Sequence, residues 1–361
     1  MIGLLVIALT VVMIITLVRN ALVGKQLTAD ENFPGTIELL IPITARSEFY
    51  IEPWMAALET LGDLKGRLKI RILIDGHHPA MTAWNELSQK LPFVELHSFI
   101  NRPVGVFVVP WMLKEISSKV TSDVVIIGDA ELVPSEAAFT SLSHFVTQKE
   151  RAYFVLPQTV RGNILGESVA LLNPTLALAS VFGFRRFKNN ISHPMMSIAQ
   201  GWLGMPASIF REIDFGKIRV ASWKQGLAEF FDMNHKFFGL AYGEKHLRRY
   251  YPEDLKVQIF QMKTYWDELW MSGDRAGFWL FVACLFIWVF PVLFFISHPF
   301  QAIGSILLLA LYRFFSKIVF QESWRGIALH LFGALVWTGT LIWWVFTSVK
   351  DRYGFRARSQ Y

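Results

Sequence analysis

Residues Val124-Val125-Ile126-Ile127 form an apolar run that stops abruptly at Gly128-Asp129-Ala130-Glu131. A run this short, bounded by charge and glycine, predicts a strand buried on both faces. Strand side chains alternate, so Asp129 and Glu131 fall on one side of the chain just past its C-terminal end. In open α/β sheets that edge is where ligands bind. Two hard carboxylates there suit a divalent cation beside a diphosphate, and the bland alternative is a solvated loop with two acids.

The preceding residues repeat the pattern. Ile37 to Ile43 reads as a buried strand, and Ser47 to Leu61 has helical spacing. Lys69 to Asp75 is a second strand, Ala80 to Leu91 a helix opened by Pro79, and Phe93 to Phe99 a third strand. Pro110 to Lys119 is a helix and Asp123 to Gly128 the fourth strand. Alternation with short connections predicts a mainly parallel α/β sheet with right-handed crossovers. Asp75, Asp129 and Glu131 then converge on one crevice, with Arg102 after the third strand as a phosphate-facing candidate.

The flanks set the environment. Of 361 residues, 53% are hydrophobic, with 13 Trp and 31 Phe, and the mean hydropathy of +0.37 exceeds what a soluble enzyme needs. The single Cys284 rules out an intrachain disulfide framework or a Cys-rich zinc site. A net charge of +6 without a long basic run suits anionic lipid headgroups rather than nucleic acid.

Ile2 to Val18 is an uncharged run long enough to span a bilayer. No basic residue precedes it and no small-x-small site follows, so it reads as a retained anchor. Arg19 and Lys25 behind it place the following domain in the cytoplasm. Gly277 to Ile296 and Gly326 to Val349 are also long enough to span. Ala302 to Phe320, interrupted by Arg313 and Lys317, reads either as a span whose basic end snorkels or as an interfacial or re-entrant helix. The interfacial alternative is preferred, because it keeps Lys350, Arg352, Arg356 and Arg358 inside. The expected organisation is an anchor over 1–25, a cytoplasmic domain over 33–270, transmembrane or interfacial helices over 277–349, and a basic tail over 350–361. Such a chain is an integral protein of an inner or plasma membrane. Sparse intramembrane charge and few spans argue against a transporter.

The order Pro42-x-Thr44-Ala45-Arg46-x-Glu48, Asp75-Gly76, Gly128-Asp129-Ala130-Glu131-x-x-Pro134 resembles the family-two glycosyltransferases of GT-A fold. The flanking layout is similar to their ceramide glucosyltransferase-like and carotenoid or hopanoid glycosyltransferase-like members. The resemblance implies an α/β GT-A domain with an N-terminal transmembrane anchor and a C-terminal transmembrane helix cluster. It implies a metal-dependent inverting hexosyltransferase, moving sugar from a nucleotide-sugar donor to a hydroxyl- or carboxyl-bearing lipid acceptor at the cytoplasmic face. Carried over by position, Asp75 contacts the nucleobase or ribose, and Thr44, Arg46, Glu48 and Arg102 line the donor side. Asp129 and Glu131 match the D-x-D motif that holds Mg²⁺ or Mn²⁺ against the diphosphate.

An inverting transferase needs a base for the acceptor hydroxyl. The family takes it from a Glu-Asp pair opening a helix, and the matching stretch here is Ala228-Glu229-Phe230-Phe231-Asp232. Phe230 stands at the base position, leaving Glu229 and Asp232, three apart on one helical face, as candidates or as ordinary surface acids. The family's Q-x-x-R-W motif is matched around Gln261, Lys263 and Trp266, with Tyr265 where Arg is expected. That motif lies beside the diphosphate and acceptor, whereas Trp266 and Trp270 also read as membrane-interface anchors. His193 and the Gly201-Trp202-Leu203-Gly204 segment are expected to wall the acceptor side. Leu171 to Asn190 mixes apolar and basic residues, as a membrane-surface element or a core helix with a basic loop does. The adjacent His77 and His78 are poorly spaced to ligate one metal ion. The competing function is a catalytically degenerate GT-A domain that binds nucleotide sugar or lipid within a membrane complex.

Overall fold

In the computed structural model the four apolar runs are neighbouring strands. The structure describes residues 2–28, 33–43, 50–103, 106–159, 201–218, 223–234, 236, 238–243, 246–250, 254–271, 275–320 and 324–358. The chain opens with α1 (Ile2–Val23) and a two-residue strand β1 (Lys25–Gln26). Then follow β2 (Ile37–Ile43), α2 (Ile51–Glu59), β3 (Leu68–Asp75), α3 (Met81–Lys90), β4 (Val94–Phe99), α4 (Val108–Ser117) and β5 (Val124–Ile127). Next come β6 (Leu132–Pro134), α5 (Glu136–Lys149), β7 (Ala152–Leu156), β8 (Gln158–Thr159) and β9 (Trp202–Pro206). After α6 (Ala207–Glu212) and α7 (Trp223–Met233) come β10 (Phe238–Tyr242) and β11 (Leu247–Arg249).

Apart from α1 up to Val18, these elements build one of two compact units, which among the described residues takes in 19–159 and 201–250. Its main sheet has eight strands in the order β1-β10-β7-β9-β5-β2-β3-β4. β9 runs antiparallel to both of its neighbours, and every other pairing is parallel. A three-stranded sheet, β6-β11-β8, lies in the same unit. Parallel strands covered on both faces read as continuous apolar runs, which is why β2 and β5 are buried at every position. One face carries Leu39, Ile41, Ile43, Ile70, Ile72 and Ile74 into a core that includes Trp54 and Trp84 of α2 and α3 and Phe139 of α5.

The opposite face carries a charge. Glu38 is fully buried, with the Arg71 Nε 2.5 Å from its Oε1. Arg71 Nη2 also donates to the Lys119 carbonyl at 3.0 Å, just beyond the end of α4. At the opening of β5, the Asp123 carboxylate accepts from the Thr36 N–H and hydroxyl, both at 2.8 Å. Those two bonds, the backbone one first, hold the Asp123 carboxyl below its ordinary value. The native state therefore binds this proton more weakly than the unfolded chain. The contribution is fully present above the ordinary carboxylate value and is lost as pH falls through the lowered native one. Asp123→Ala is expected to lower the Tm at neutral pH and to lose less further stability than wild type below about pH 4. Thermal melts across pH check this, and equal acid sensitivity of the two proteins would remove Asp123 from the account.

The other unit, among the described residues, takes in 2–18 and 254–358. It contains α8 (Leu255–Met271), α9 (Arg275–Phe294), α10 (Pro299–Phe320), α11 (Arg325–Ala328) and α12 (His330–Arg358). Among the described residues, three stretches are long and apolar enough to cross a membrane: Ile2–Arg19, Pro299–Ile318 and His330–Thr347. In α9 the apolar stretch Phe278–Phe294 is shorter. Large apolar side chains such as Leu4, Ile15, Phe300, Leu307 and Phe346 are exposed on these helices, a surface that water does not favour. The segment with Arg313 and Lys317 is one continuous 22-residue helix. Arg313 is buried, and Lys317 Nζ lies 4.4 Å from the Trp324 ring centroid. His330 is buried against Trp288, facing other helices as its position in an apolar segment requires.

Candidate active site

β3 and β5 flank β2, so their carboxyl ends open on one edge, about 10 Å apart across two strand spacings. Asp75 is the last residue of β3, and Asp129 stands two residues past the end of β5. The Asp75 Oδ1 accepts from the His77 N–H at 3.0 Å, closing a tight turn after the strand. His78 Nδ1 accepts from the Ala80 N–H at 3.1 Å, so its ring helps hold the turn into α3. Arg102 is exposed in the loop beyond β4.

Packing determines why glycine precedes Asp129. Gly128 N–H donates to Leu40 O at 2.9 Å, continuing the parallel ladder one residue past β5. A Cβ on Gly128 would stand 2.5 Å from the Trp202 Nε1, a rigid ring with nowhere to yield. Trp202 is itself fully buried, its ring centroid 5.1 Å from that of Phe139. Its indole packs in the core beside Gly128. Ala130 O accepts from the Trp54 indole N–H at 2.8 Å, and Glu131 O accepts from the Tyr250 N–H at 3.2 Å. The turn bearing both acids is thus pinned from two sides.

The acids have partners that sequence reasoning did not anticipate. Asp129 Oδ2 accepts from Lys224 Nζ at 2.6 Å and from the Gly201 N–H at 3.2 Å. Lys224 is the second residue of α7. Glu131 Oε2 accepts from Arg249 Nη2 at 3.0 Å, and Arg249 ends β11, whose neighbour β6 directly follows the acidic turn. Lys224 and Arg249 are 7% and 2% exposed, so these are fixed pairs rather than passing surface contacts. Nothing in the local sequence marks them. A lysine opening an amphipathic helix and an arginine in a short strand ordinarily read as solvated.

Mg²⁺ or Mn²⁺ held by Asp129 and Glu131 does not fit this arrangement, because a buried cation already neutralises each carboxylate. Among the described residues, no group of three or more His, Cys, Asp or Glu comes together in a way that would hold a metal ion. The two carboxylates that sequence reasoning assigned to a metal are here the acidic halves of two ion pairs.

The remaining candidates divide by position. Glu229 is half-buried and Asp232 exposed, both on α7 together with Lys224. Gln261, Lys263 and Trp266 lie on α8, in the helical unit. Gln261 and Lys263 are half-buried there, and Lys263 Nζ is 5.5 Å from the Trp343 ring centroid. Trp266 is fully buried among Phe278, Phe281 and Trp337. Trp270 is half-buried, packing edge-on against Phe278 and Trp344. Thr44, Arg46, Glu48, His193 and the segment 171–190 lie outside the described residues.

No protein-family model matches the chain, and no curated protein matches its sequence. Among solved structures it is similar to the mannosyltransferase PcManGT from Pyrobaculum calidifontis in complex with GDP-Man and Mn²⁺. That likeness has 12% identity and a TM-score of 0.46, over 98% of this chain and 99% of that one. It is also similar to S. aureus TarS 1–349, at 10% identity and a TM-score of 0.40, over 84% of this chain and 91% of that one. The TarS structure in complex with UDP-GlcNAc gives 10% identity and a TM-score of 0.41. None of these likenesses places a residue of this chain.

Proposed function

We propose that this chain is a membrane-bound inverting glycosyltransferase with a GT-A domain, moving a sugar from a nucleotide-sugar donor to a lipid acceptor at the cytoplasmic face. The observation that carries the reading is the meeting of Asp75 and the Asp129–Glu131 turn at the carboxyl ends of β3 and β5, on either side of β2. That edge is the ligand-binding edge of an open α/β sheet, and the order of motifs along it is the one the family resemblance supplies. The mixed, parallel-rich sheet is in keeping with the same resemblance. Three helices able to cross a membrane support membrane attachment, and Arg19 and Lys25 behind the first support a cytoplasmic catalytic domain.

In this reading Asp75 holds the nucleobase or ribose, and the diphosphate lies beside Asp129 and Glu131. The acceptor oxygen attacks the anomeric carbon, the bond from that carbon to the diphosphate breaks, and the acceptor proton passes to a carboxylate of α7. Of the two acids Glu229 is half-buried and Asp232 exposed, and we assign the proton to Glu229 because a partly desolvated carboxylate is the stronger base. Much of the rate comes from holding donor and acceptor in line and from fixed charge that meets the leaving diphosphate. A ligand that binds only the folded protein raises its stability by about 2.7 kcal/mol at a hundred times its Kd. Purified full-length protein in detergent is therefore expected to melt higher with one nucleotide sugar of a panel than with the others. A flat response across uridine, guanosine, adenosine, cytidine and thymidine diphospho-sugars would sink the reading.

A further inference from the structure

The inference here rests on the transferase reading and concerns how the two halves of its site are held in line. We propose that Lys224 is a positioning residue: its ion pair with Asp129 sets the helix that carries Glu229 against the turn beside the diphosphate.

The turn is the fixed partner. Gly128 continues the ladder with Leu40, and the Trp54 indole and the Tyr250 N–H hold the carbonyls of Ala130 and Glu131. Asp129 therefore projects from backbone that is tied on both sides of it. α7 is held by less directional contacts. Lys224, Leu227, Ala228 and Phe231 fall at i, i+3, i+4 and i+7, one helical stripe, and all four are buried. Three of them are apolar, and apolar packing specifies rotation and axial setting less sharply than a charged hydrogen bond does. The fourth ends in an ammonium 2.6 Å from the Asp129 Oδ2. At the other end of α7 the Lys236 ammonium pairs with Glu212 of α6, but Glu212 is exposed, and exposed pairs hold little.

The helix carries this setting to the chemistry. Glu229 lies five residues beyond Lys224, about 7.5 Å along the axis and about 140° round it. It stands off the buried stripe and is half-buried. Turn, ion pair and helix thus make one connection, within the sheet unit, from the diphosphate side to the base. Lys224, at 7% exposure, acts through Asp129 and the helix rather than on substrate. A buried ion pair adds little net stability over an apolar pair of the same volume, so what this one contributes is geometry. That matters for rate, because a misplacement of about 1 Å costs about a hundredfold.

Release of nucleoside diphosphate by full-length protein in detergent tests this, since it reads turnover whether the acceptor is lipid or water. The probes are UDP-glucose, UDP-GlcNAc, GDP-mannose, ADP-glucose and CDP-glucose, with diacylglycerol in the micelle as hydroxyl acceptor. Lys224→Met is expected to lower kcat at least about thirtyfold and to shift the donor KM less than about threefold. Lys224→Arg, which keeps the charge, is expected to recover most of the rate. The deciding readout is a double-variant cycle. Glu229→Gln is expected to cost at least about a hundredfold in otherwise wild-type protein but less than about fivefold beside Lys224→Met, because a misaligned base has little left to lose. A merely structural lysine would change the amount of active protein and leave the cost of Glu229→Gln the same in both. Circular dichroism melts establish that each variant is folded, and Lys224→Gln serves the same cycle if Lys224→Met does not fold. Equal costs of Glu229→Gln with and without Lys224, or no cost in wild type, would overturn the inference and leave the transferase reading standing. Release from none of the five donors by wild type would overturn both.

Discussion

Asp129→Asn is expected to lower sugar transfer at least about a hundredfold while the protein stays folded. Asn keeps the shape of the side chain and a carbonyl oxygen that can accept from both Lys224 and the Gly201 N–H. What it loses is the charge that fixes the Lys224 ammonium 2.6 Å away. The effect should therefore concentrate in turnover, with a small loss in melting temperature. Asp129→Ala removes the acceptor altogether and leaves two donors at a largely buried point, so it should melt distinctly lower than the Asn variant. Transfer or donor hydrolysis rates, read beside circular dichroism melts, separate the two effects. Activity near wild type in folded Asp129→Asn protein would take Asp129 out of the chemistry.

The second large effect concerns the other face of the sheet. Arg71→Met is expected to destabilise the sheet unit by about 3 to 5 kcal/mol, because it strands a carboxylate in the interior. Glu38 is 0% exposed, with Arg71 at 2.5 Å and the Ser122 hydroxyl donating to it at 3.3 Å. Burial already pushes the Glu38 carboxyl above its ordinary value, and Arg71 opposes that push. A raised native value means that the folded protein holds the proton more tightly than the unfolded chain does. Stability tied to Glu38 is then present below the ordinary value and declines as pH rises through the native one. Removing Arg71 raises the native value further, so the deficit of the variant should be larger at pH 8 than at about pH 5. The double variant Glu38→Leu with Arg71→Met should recover much of the loss, since an apolar pair of similar volume replaces a buried ion pair at little net cost. Denaturant melts of the single and double variants decide it, and equal stability of the two would show that the pair is not coupled.

The first four strands were legible for a physical reason. A parallel strand covered on both faces must be apolar throughout, and β2, over Ile37–Ile43, has the boundaries that its residues predict. β3 and β4 each differ by one residue at the start, and β5 loses one at each end to turns. The strands after Pro134 left weaker traces. β8 has two residues and β11 three, and β9 enters the sheet antiparallel between β5 and β7, a placement set by distant chain rather than local pattern. The same distinction runs through the site. Asp75, Asp129 and Glu131 were visible because strand ends are local features. Lys224 and Arg249 were not, since their meaning depends on partners 95 and 118 residues away. A charge that contacts its partner across the fold looks, in sequence, like any solvated charge.

The two-residue strand β1 carries more weight than its length suggests. β10 pairs with β7 on one side, and on the other its last two residues, Ala241 and Tyr242, are covered by β1 and by the Leu27 N–H, which donates to Tyr242 O at 3.0 Å. Gly24 admits this short strand, since a Cβ there would fall 2.0 Å from the Tyr242 ring. Without it β10 would be an open template on which another chain could lay a strand. The segment that begins as an apolar helix thus ends as an edge guard. Trimming it away to obtain a soluble fragment would bare the end of β10 and let such fragments pair with one another.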